Sequence, residues 1–335
     1  MTTRMSKNLA VGIIGFGGRG RKHAKAVFEH ADYEVGFVHD PQLRSSDRSA
    51  LEAQGVPIHE AISAKALSSV EAVIVAVPHN EYKKVLAACR DAGVAVLMEK
   101  PFGRNLEEAE ELAVLSDAST HCFVVGAQRR YSRAYSRLQH IVRSEDSPRS
   151  FSYTYALGLS GIEEGWRADK ALAGGGALID MGYHPIDLVA GLFDEPQAVR
   201  CQIELPRYGN GAMAVEPGAD ILFTFSSGFA GTVSMGRYRV PEEELFTIWY
   251  DDFSLRLQDE GLFKIYAGGK RELLAPPEST GKLLHEQLTE FYMFVRGMPS
   301  SVYTVAEAMR TMRLIDRCYR SAEESDAPED RLAAV

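Results

Sequence analysis

Three groups of residues in this chain have the types and spacing that chemistry needs. The first is a glycine-rich turn, Gly15-Phe16-Gly17-Gly18-Arg19-Gly20, which fits G-x-G-x-x-G. It follows a short β-branched apolar run, Leu9 to Ile14, and precedes a helical pattern from Arg21 to His30. Asp40 ends the next apolar run, twenty residues beyond Gly20. Strand, glycine turn, helix and acid in this order form a dinucleotide-binding fingerprint. Gly15 allows the tight turn, Gly17 lets the backbone approach a pyrophosphate, and Gly20 lets helix and strand pack closely. The helix N-terminus attracts the phosphate charge, and Asp40 is spaced to accept hydrogen bonds from a ribose. A lone glycine motif would be an ordinary turn; the flanking elements favour the nucleotide.

The second group is Glu99-Lys100-Pro101, directly after the apolar run Val94 to Met98. Ligands of open α/β sheets bind beyond the carboxyl ends of strands, so Lys100 is placed to face a cofactor crevice. Pro101 restricts its backbone. A solvated surface lysine is the alternative, and position alone does not separate the two. The third group lies in Gly174-Gly175-Gly176-Ala177-Leu178-Ile179-Asp180-Met181-Gly182-Tyr183-His184-Pro185. Asp180 and His184 are four apart and would share a face of a helix. A carboxylate beside an imidazole can orient a general base. Pro185 either kinks one helix or opens a new one with His184 at its N-cap. Taken alone, the pair reads more simply as a core histidine and a surface aspartate. No third ligand stands at an informative spacing, so no metal is expected.

The elements that must position these groups fall into two patterns. Ala72 to Val77, Val94 to Met98 and His121 to Val125 are continuous apolar strands, with a helix from His79 to Ala92 stopped by Gly93. Asn105-Leu106-Glu107-Glu108 resembles a capping box for a helix reaching about Ser116. This alternation predicts a parallel, doubly wound sheet. After Gly126 the pattern changes to strands at Phe151–Leu157, Ala198–Leu205, Asp220–Ser226, Ala230–Met235, Phe246–Tyr250, Phe253–Leu257 and Leu262–Tyr266. Turns such as Ser226-Ser227-Gly228 and Asp259-Glu260-Gly261 read as hairpins, so this sheet is mostly antiparallel. Two amphipathic helices follow. Leu284, Leu288, Phe291, Tyr292 and Val295 line the first; Thr304 and Glu307 cap the second, which carries Met309, Met312, Ile315, Cys318 and Tyr319.

The expected fold class is therefore α/β: an N-terminal Rossmann domain over 1–126, then an α+β domain over 127–322 with a large open sheet. An acidic tail over 323–335 is expected to be disordered. The chain has 335 residues and a net charge of −9, without a basic patch that would favour nucleic acid. Cys89, Cys122, Cys201 and Cys318 form no C-x-x-C pair, so four reduced thiols in a cytoplasmic protein are expected. Arg4 and Lys7 precede an apolar run, but it is short, glycine-interrupted and part of the nucleotide fold, so it is not read as a targeting signal. No apolar stretch is long enough to span a bilayer.

As a set, GFGGRG, Asp40, the EKP at 99–101 and GGGALIDMGYHPID at 174–187 resemble the Gfo/Idh/MocA oxidoreductases, the relatives of glucose–fructose oxidoreductase and inositol dehydrogenase. Gln128-Arg129-Arg130-Tyr131, Trp166-Arg167 and the closing EQLTEFYMFVRG…RTMRLIDRCYRSA match as well, so the resemblance covers nearly the whole chain. It implies hydride transfer between NAD(P) and a secondary alcohol or carbonyl, most often on sugars and polyols. It implies that Lys100 contacts nicotinamide and the substrate hydroxyl, that Asp180 holds substrate, and that His184 is the general base or acid. It places Gly15, Phe16, Gly17, Gly18, Arg19, Gly20, Asp40, Pro78, Glu99, Lys100, Trp166 and Arg167 at the cofactor, with Arg130 at the substrate. The family's T-P-N segment is here Val77-Pro78-His79-Asn80, so the threonine is absent. Part of the same family uses NAD transiently to hydrolyse glycosides, and a few relatives of the fold only sense NAD(P). Asp40 favours NAD over NADP, because a 2′-phosphate would face its carboxylate; Arg44 reads as a solvated loop charge or an adenine-stacking residue, and swung toward Asp40 it would soften this penalty without reversing it. A homodimer or homotetramer built on the C-terminal sheet is expected, with a small-molecule sugar or polyol as substrate and neither nucleic acid nor membrane as partner.

Overall fold

Continuous apolar runs bounded by glycine and proline build the first layer. The computed structural model describes residues 8–117, 123–145, 148–158, 165–205, 215–226 and 228–325. Cys122, Ser227 and the tail beyond Ser325 lie outside them. The chain divides into two compact units: Met1–Ser132 with Glu278–Met309, and Arg133–Pro277 with Arg310–Val335.

In the first unit, β1 (Leu9–Ile14), β2 (Tyr33–His39), β3 (Ala72–Val75), β4 (Ala95–Glu99) and β5 (Phe123–Gly126) form a parallel sheet in the order β2-β1-β3-β4-β5. The strand order reverses between β1 and β3, the switch point at which such sheets bind ligands. Helices α1 (Gly18–Glu29), α2 (Ser45–Ala53), α3 (Ala64–Leu67), α4 (Tyr82–Ala92) and α5 (Leu106–Asp117) connect the strands. Gly93 ends α4 in the left-handed conformation expected of a helix-stopping glycine, with φ 67°. Asn105 caps α5 by accepting from Glu108 N at 2.8 Å. β3 stops at Val75, so Val77 and Pro78 lie in the loop beyond it.

The second unit opens with α6 (Arg133–Ser144), β6 (Ser150–Gly158), α7 (Lys170–Ala173) and α8 (Tyr183–Leu192). The strands β7 (Ala198–Ile203), β8 (Gly218–Thr224), β9 (Ala230–Gly236), β10 (Tyr238–Trp249), β11 (Phe253–Gln258), β12 (Gly261–Tyr266) and β13 (Arg271–Ala275) follow. With β6 they make an eight-stranded sheet, β13-β12-β11-β10-β6-β9-β8-β7, in which only β6 and β9 pair in parallel. The mostly antiparallel open sheet matches the expectation. β10 starts eight residues earlier than Phe246, across polar Glu242, Glu243 and Glu244, and β13 is too polar to read as a strand. One face packs Phe151, Phe223, Phe225, Phe229 and Phe246 as an aromatic core.

Two helices close the chain, α9 (Thr280–Val295) and α10 (Val305–Ser325). The apolar stripe of α9 is core, but in the first unit. Leu284, Leu288 and Phe291 join Leu9, Val11, Ala72, Ile74, Leu97 and Val124 in one buried cluster. Tyr33 Oη donates to Leu288 O at 2.6 Å, which fixes the contact. A contiguous second domain over 127–322 is therefore corrected: residues 278–309 return to the nucleotide-binding unit, because the sheet has an apolar face that α9 buries. Thr304 and Glu307 make the expected reciprocal cap at the start of α10. Cys89, Cys201 and Cys318 are free thiols in buried positions. No helix among the described residues is long and apolar enough to cross a membrane.

Candidate functional site

In the first unit the glycine turn has the shape its sequence requires. Gly15 has φ +90°, and a Cβ there would stand 2.4 Å from Ala76 O. A Cβ on Gly20 would meet Gly15 O at 1.9 Å, so this glycine is fixed by the closeness of helix and turn. Gly17 and Gly18 differ: a Cβ on either meets nothing within 4 Å. They front open space at the N-terminus of α1, where no side chain caps the helix and no acidic residue occupies the first turn. Such a terminus favours a phosphate.

Asp40, the residue after β2, closes this turn. Its Oδ2 accepts from Phe16 N at 2.6 Å and its Oδ1 from Gln42 N at 2.7 Å. An ionised carboxylate has about four acceptor positions, so capacity remains for ribose hydroxyls. Arg44 is exposed at the N-cap of α2.

At the end of β4, Glu99 and Lys100 are both buried, and the Lys100–Pro101 peptide is cis. Burial alone would push the Glu99 carboxyl up. The hydrogen bond from His23 and the charges of Arg19, His23 and Lys100 outweigh it and hold the carboxyl at about 2. Tyr82 Oη donates to Glu99 O at 3.0 Å and fixes the strand end. Arg130 donates to Glu307 at 2.7 Å and lies over the Tyr303 ring at 3.9 Å.

In the second unit the Gly174–Gly182 segment is a series of turns ahead of α8. Glu216, itself buried, accepts from Gly176 N at 2.7 Å and Leu178 N at 3.0 Å, and Tyr319 Oη donates to it at 2.8 Å. Burial pushes the Tyr319 hydroxyl well up, so it stays a donor. A Cβ on Gly176 would stand 2.1 Å from Glu216 O, and one on Gly175 2.1 Å from Tyr319 Oη. The glycine run is thus pressed onto the Glu216 backbone and the Tyr319 hydroxyl. Asp180 lies in the turn and not on the helix, so the expected shared helical face is corrected. The helix begins at Tyr183 with Gly182 at the N-cap, and Pro185 stands in its first turn, where a missing N–H costs nothing. His184 is the second helical residue, not the cap, and is buried.

Asp180 is surrounded by guanidinium groups. Arg237 Nη2 donates to its Oδ2 at 3.2 Å, and Arg167 Nε stands 3.6 Å from the same atom. Arg167 also stacks on Trp166 at 4.4 Å. Trp166, Arg167 and Asp180, separate in sequence, are therefore one cluster. Arg237 and His23 are the residues that sequence reasoning missed. An arginine between two strands reads as a solvated charge, and a histidine in an amphipathic helix reads as surface. No group of three or more possible metal ligands occurs among the described residues.

A glycine cradle at the switch point of a parallel sheet is the dinucleotide-binding feature of a Rossmann fold. Two sequence profiles agree: "Oxidoreductase family, NAD-binding Rossmann fold" matches residues 9–127 and "GFO/IDH/MocA C-terminal domain" matches residues 142–256. The chain belongs to the Gfo/Idh/MocA family. It is 26% identical over 313 residues to the rhizopine catabolism protein MocA of Rhizobium meliloti, covering 91% of this chain and 92% of that one. It is also 26% identical over 207 residues to the scyllo-inositol 2-dehydrogenase (NADP(+)) IolW of Bacillus subtilis, covering 61% of this chain and 57% of that one. The chain spans about half the length of several curated relatives it matches. In fold it is similar to a levoglucosan dehydrogenase solved with NADH and levoglucosan, at TM-score 0.82 and 19% identity over 95% of this chain and 98% of that one.

Proposed function

We propose that this protein transfers a hydride between NAD and the secondary alcohol or ketone carbon of a sugar, cyclitol or amino sugar. The observation that carries this reading is Asp180, a carboxylate clamped by a buried guanidinium in the turn that leads into His184. The open cradle at Gly17 and Gly18 fits a dinucleotide. Gly15 to Gly20 would hold its pyrophosphate and Asp40 its ribose, with Pro78, Glu99, Lys100, Trp166 and Arg167 as further contacts. When bound, the nicotinamide supplies the hydride acceptor or donor. His184 takes the hydroxyl proton as the carbonyl forms, or returns it in the reverse direction. The Lys100 ammonium offsets the negative charge that develops on that oxygen. Asp180 accepts hydrogen bonds from substrate hydroxyls, and Arg130 completes the substrate-contacting set. Asp40 selects NAD over NADP. The relatives named for inositol and levoglucosan support the polyol class.

Self-association through the open sheet belongs to the same reading. Arg200, Leu222, Thr232, Ser152, Thr247, Arg256, Phe263 and Leu273 are successive cross-strand partners, one row across the face opposite the aromatic core. Leu222, Trp249 and Leu273 are exposed large apolar side chains on this face. A face of this composition is suited to a second copy.

The test is purified protein with NAD and a panel of cyclitols, aldoses and amino sugars, with NADH followed by absorbance. Steady net NADH formation with at least one of them is expected. No turnover across the panel, or sugar release without net NADH, overturns the reading.

A further inference from the structure

Arg237 occupies the single-residue break between β9 and β10 and is 0% exposed. Its backbone N donates to Pro217 O at 2.8 Å, which ties it to the segment that also supplies Glu216. Its Nη2 donates to Asp180 Oδ2 at 3.2 Å. Its Nε and Nη1 are buried with no hydrogen-bond partner among the described residues. This is a costly arrangement. A guanidinium cannot shed its proton, and a buried charge is tolerated only when paired. An apolar side chain of similar volume would usually fill such a position at lower cost.

The compensation is directed at one carboxylate. Asp180 is 18% exposed at its side chain, while the arginine behind it is fully enclosed. The two hold the carboxylate between interior and surface. Arg167 approaches the same oxygen from a side chain that is 41% exposed and packed on Trp166, so water screens its pull. Arg237 is enclosed from water, and its backbone is fixed to Pro217 O.

We propose that Arg237 is a positioning residue: it orients Asp180 and supplies the buried countercharge that lets this carboxylate receive substrate hydroxyls. The proposal rests on the role given to Asp180 above. It predicts that losing the guanidinium impairs handling of the substrate while leaving the nucleotide-binding unit intact.

The experiment compares wild type, Arg237→Met, Arg237→Lys and Arg237→Ala, together with Asp180→Asn and the Arg237→Met/Asp180→Asn double variant. Arg237→Met should lower kcat/KM by about 10–150-fold, the range for a charged hydrogen bond, with NADH affinity within about 3-fold of wild type. Arg237→Lys, which keeps the charge without the fork, should recover part of the loss. Added guanidinium ion should raise the turnover of Arg237→Ala several-fold and leave Asp180→Asn unmoved, a response that a purely structural arginine would not give. In urea unfolding, Arg237→Met should destabilise wild type more than it destabilises Asp180→Asn. Additive unfolding effects, wild-type kcat/KM in Arg237→Met, or no guanidinium response in a folded Arg237→Ala would each overturn the proposal. Failure of the wild type on the whole substrate panel would instead strike the functional reading, and the unfolding cycle would still decide whether Arg237 serves Asp180.

Discussion

His23 Nε2 donates to Glu99 Oε1 at 2.7 Å, and both side chains are almost fully buried. The bond joins the first helix to the strand that ends at Glu99, just before Lys100, so the glycine turn and the EKP segment share one support. Since Glu99 is held at about 2, against an ordinary 4.5, its carboxylate form stabilises the fold. That contribution is complete above about pH 4.5 and is lost as pH falls toward 2. Its size is about 3 kcal/mol from the difference between the two values. Glu99→Gln should therefore lower unfolding free energy by roughly that amount at pH 7, and the gap from wild type should shrink below pH 4.5. Urea unfolding of both proteins between neutral pH and the acid limit of the native state measures it. A gap that is constant over this range rules the linkage out.

His184→Ala should lower kcat by about 10²–10⁴-fold, the usual worth of a positioned acid–base group. NADH affinity should change little, because His184 and the glycine turn lie in different units. Near-wild-type turnover in this variant would refute the role given to His184; fluorescence titration with NADH supplies the control.

Beside its proposed part in cofactor choice, Asp40 has a second duty in the structure. In the proposed site its carboxylate would face the ribose, and both oxygens already hold backbone N–H groups of Phe16 and Gln42. A 2′-phosphate there meets like charge, and ~2–3 kcal/mol of repulsion corresponds to roughly 30–150-fold preference for NAD. Asp40→Ser should bring the two kcat/KM values together. It should also weaken binding of NAD itself, since the turn loses its anchor. A wild-type preference for NADP is the result that sinks this idea.

Light scattering at micromolar concentration should give a multiple of the chain mass. Leu222→Asp, an exposed apolar position next to the β7 edge of the sheet row, should shift the population toward monomer without unfolding the domain, which circular dichroism checks. A monomeric wild type leaves the sheet face as a solvated surface.

The features that were legible in the sequence are those governed by neighbours a few residues apart. The glycine turn and Asp40 depend on strand, turn and helix in one βαβ unit. The caps at Asn105 and Thr304 close on residues three positions on. Strand alternation from Phe151 onward is set by the two-residue period of the pleat. Other features were decided by tertiary structure. The stripe of Leu284, Leu288 and Phe291 signals a buried helix face, but no local pattern names the sheet, some 190 residues back at Leu97, against which it packs. Asp180 and His184 look like one helical face by spacing; Glu216, 36 residues further on, pins Gly176 and Leu178 into turns and moves Asp180 off the helix. Arg237 reads as one charged residue among several near the β10 strand. Only the chain's return past Pro217 ties it down and sets its charge against Asp180, because burial is a property of distant segments meeting.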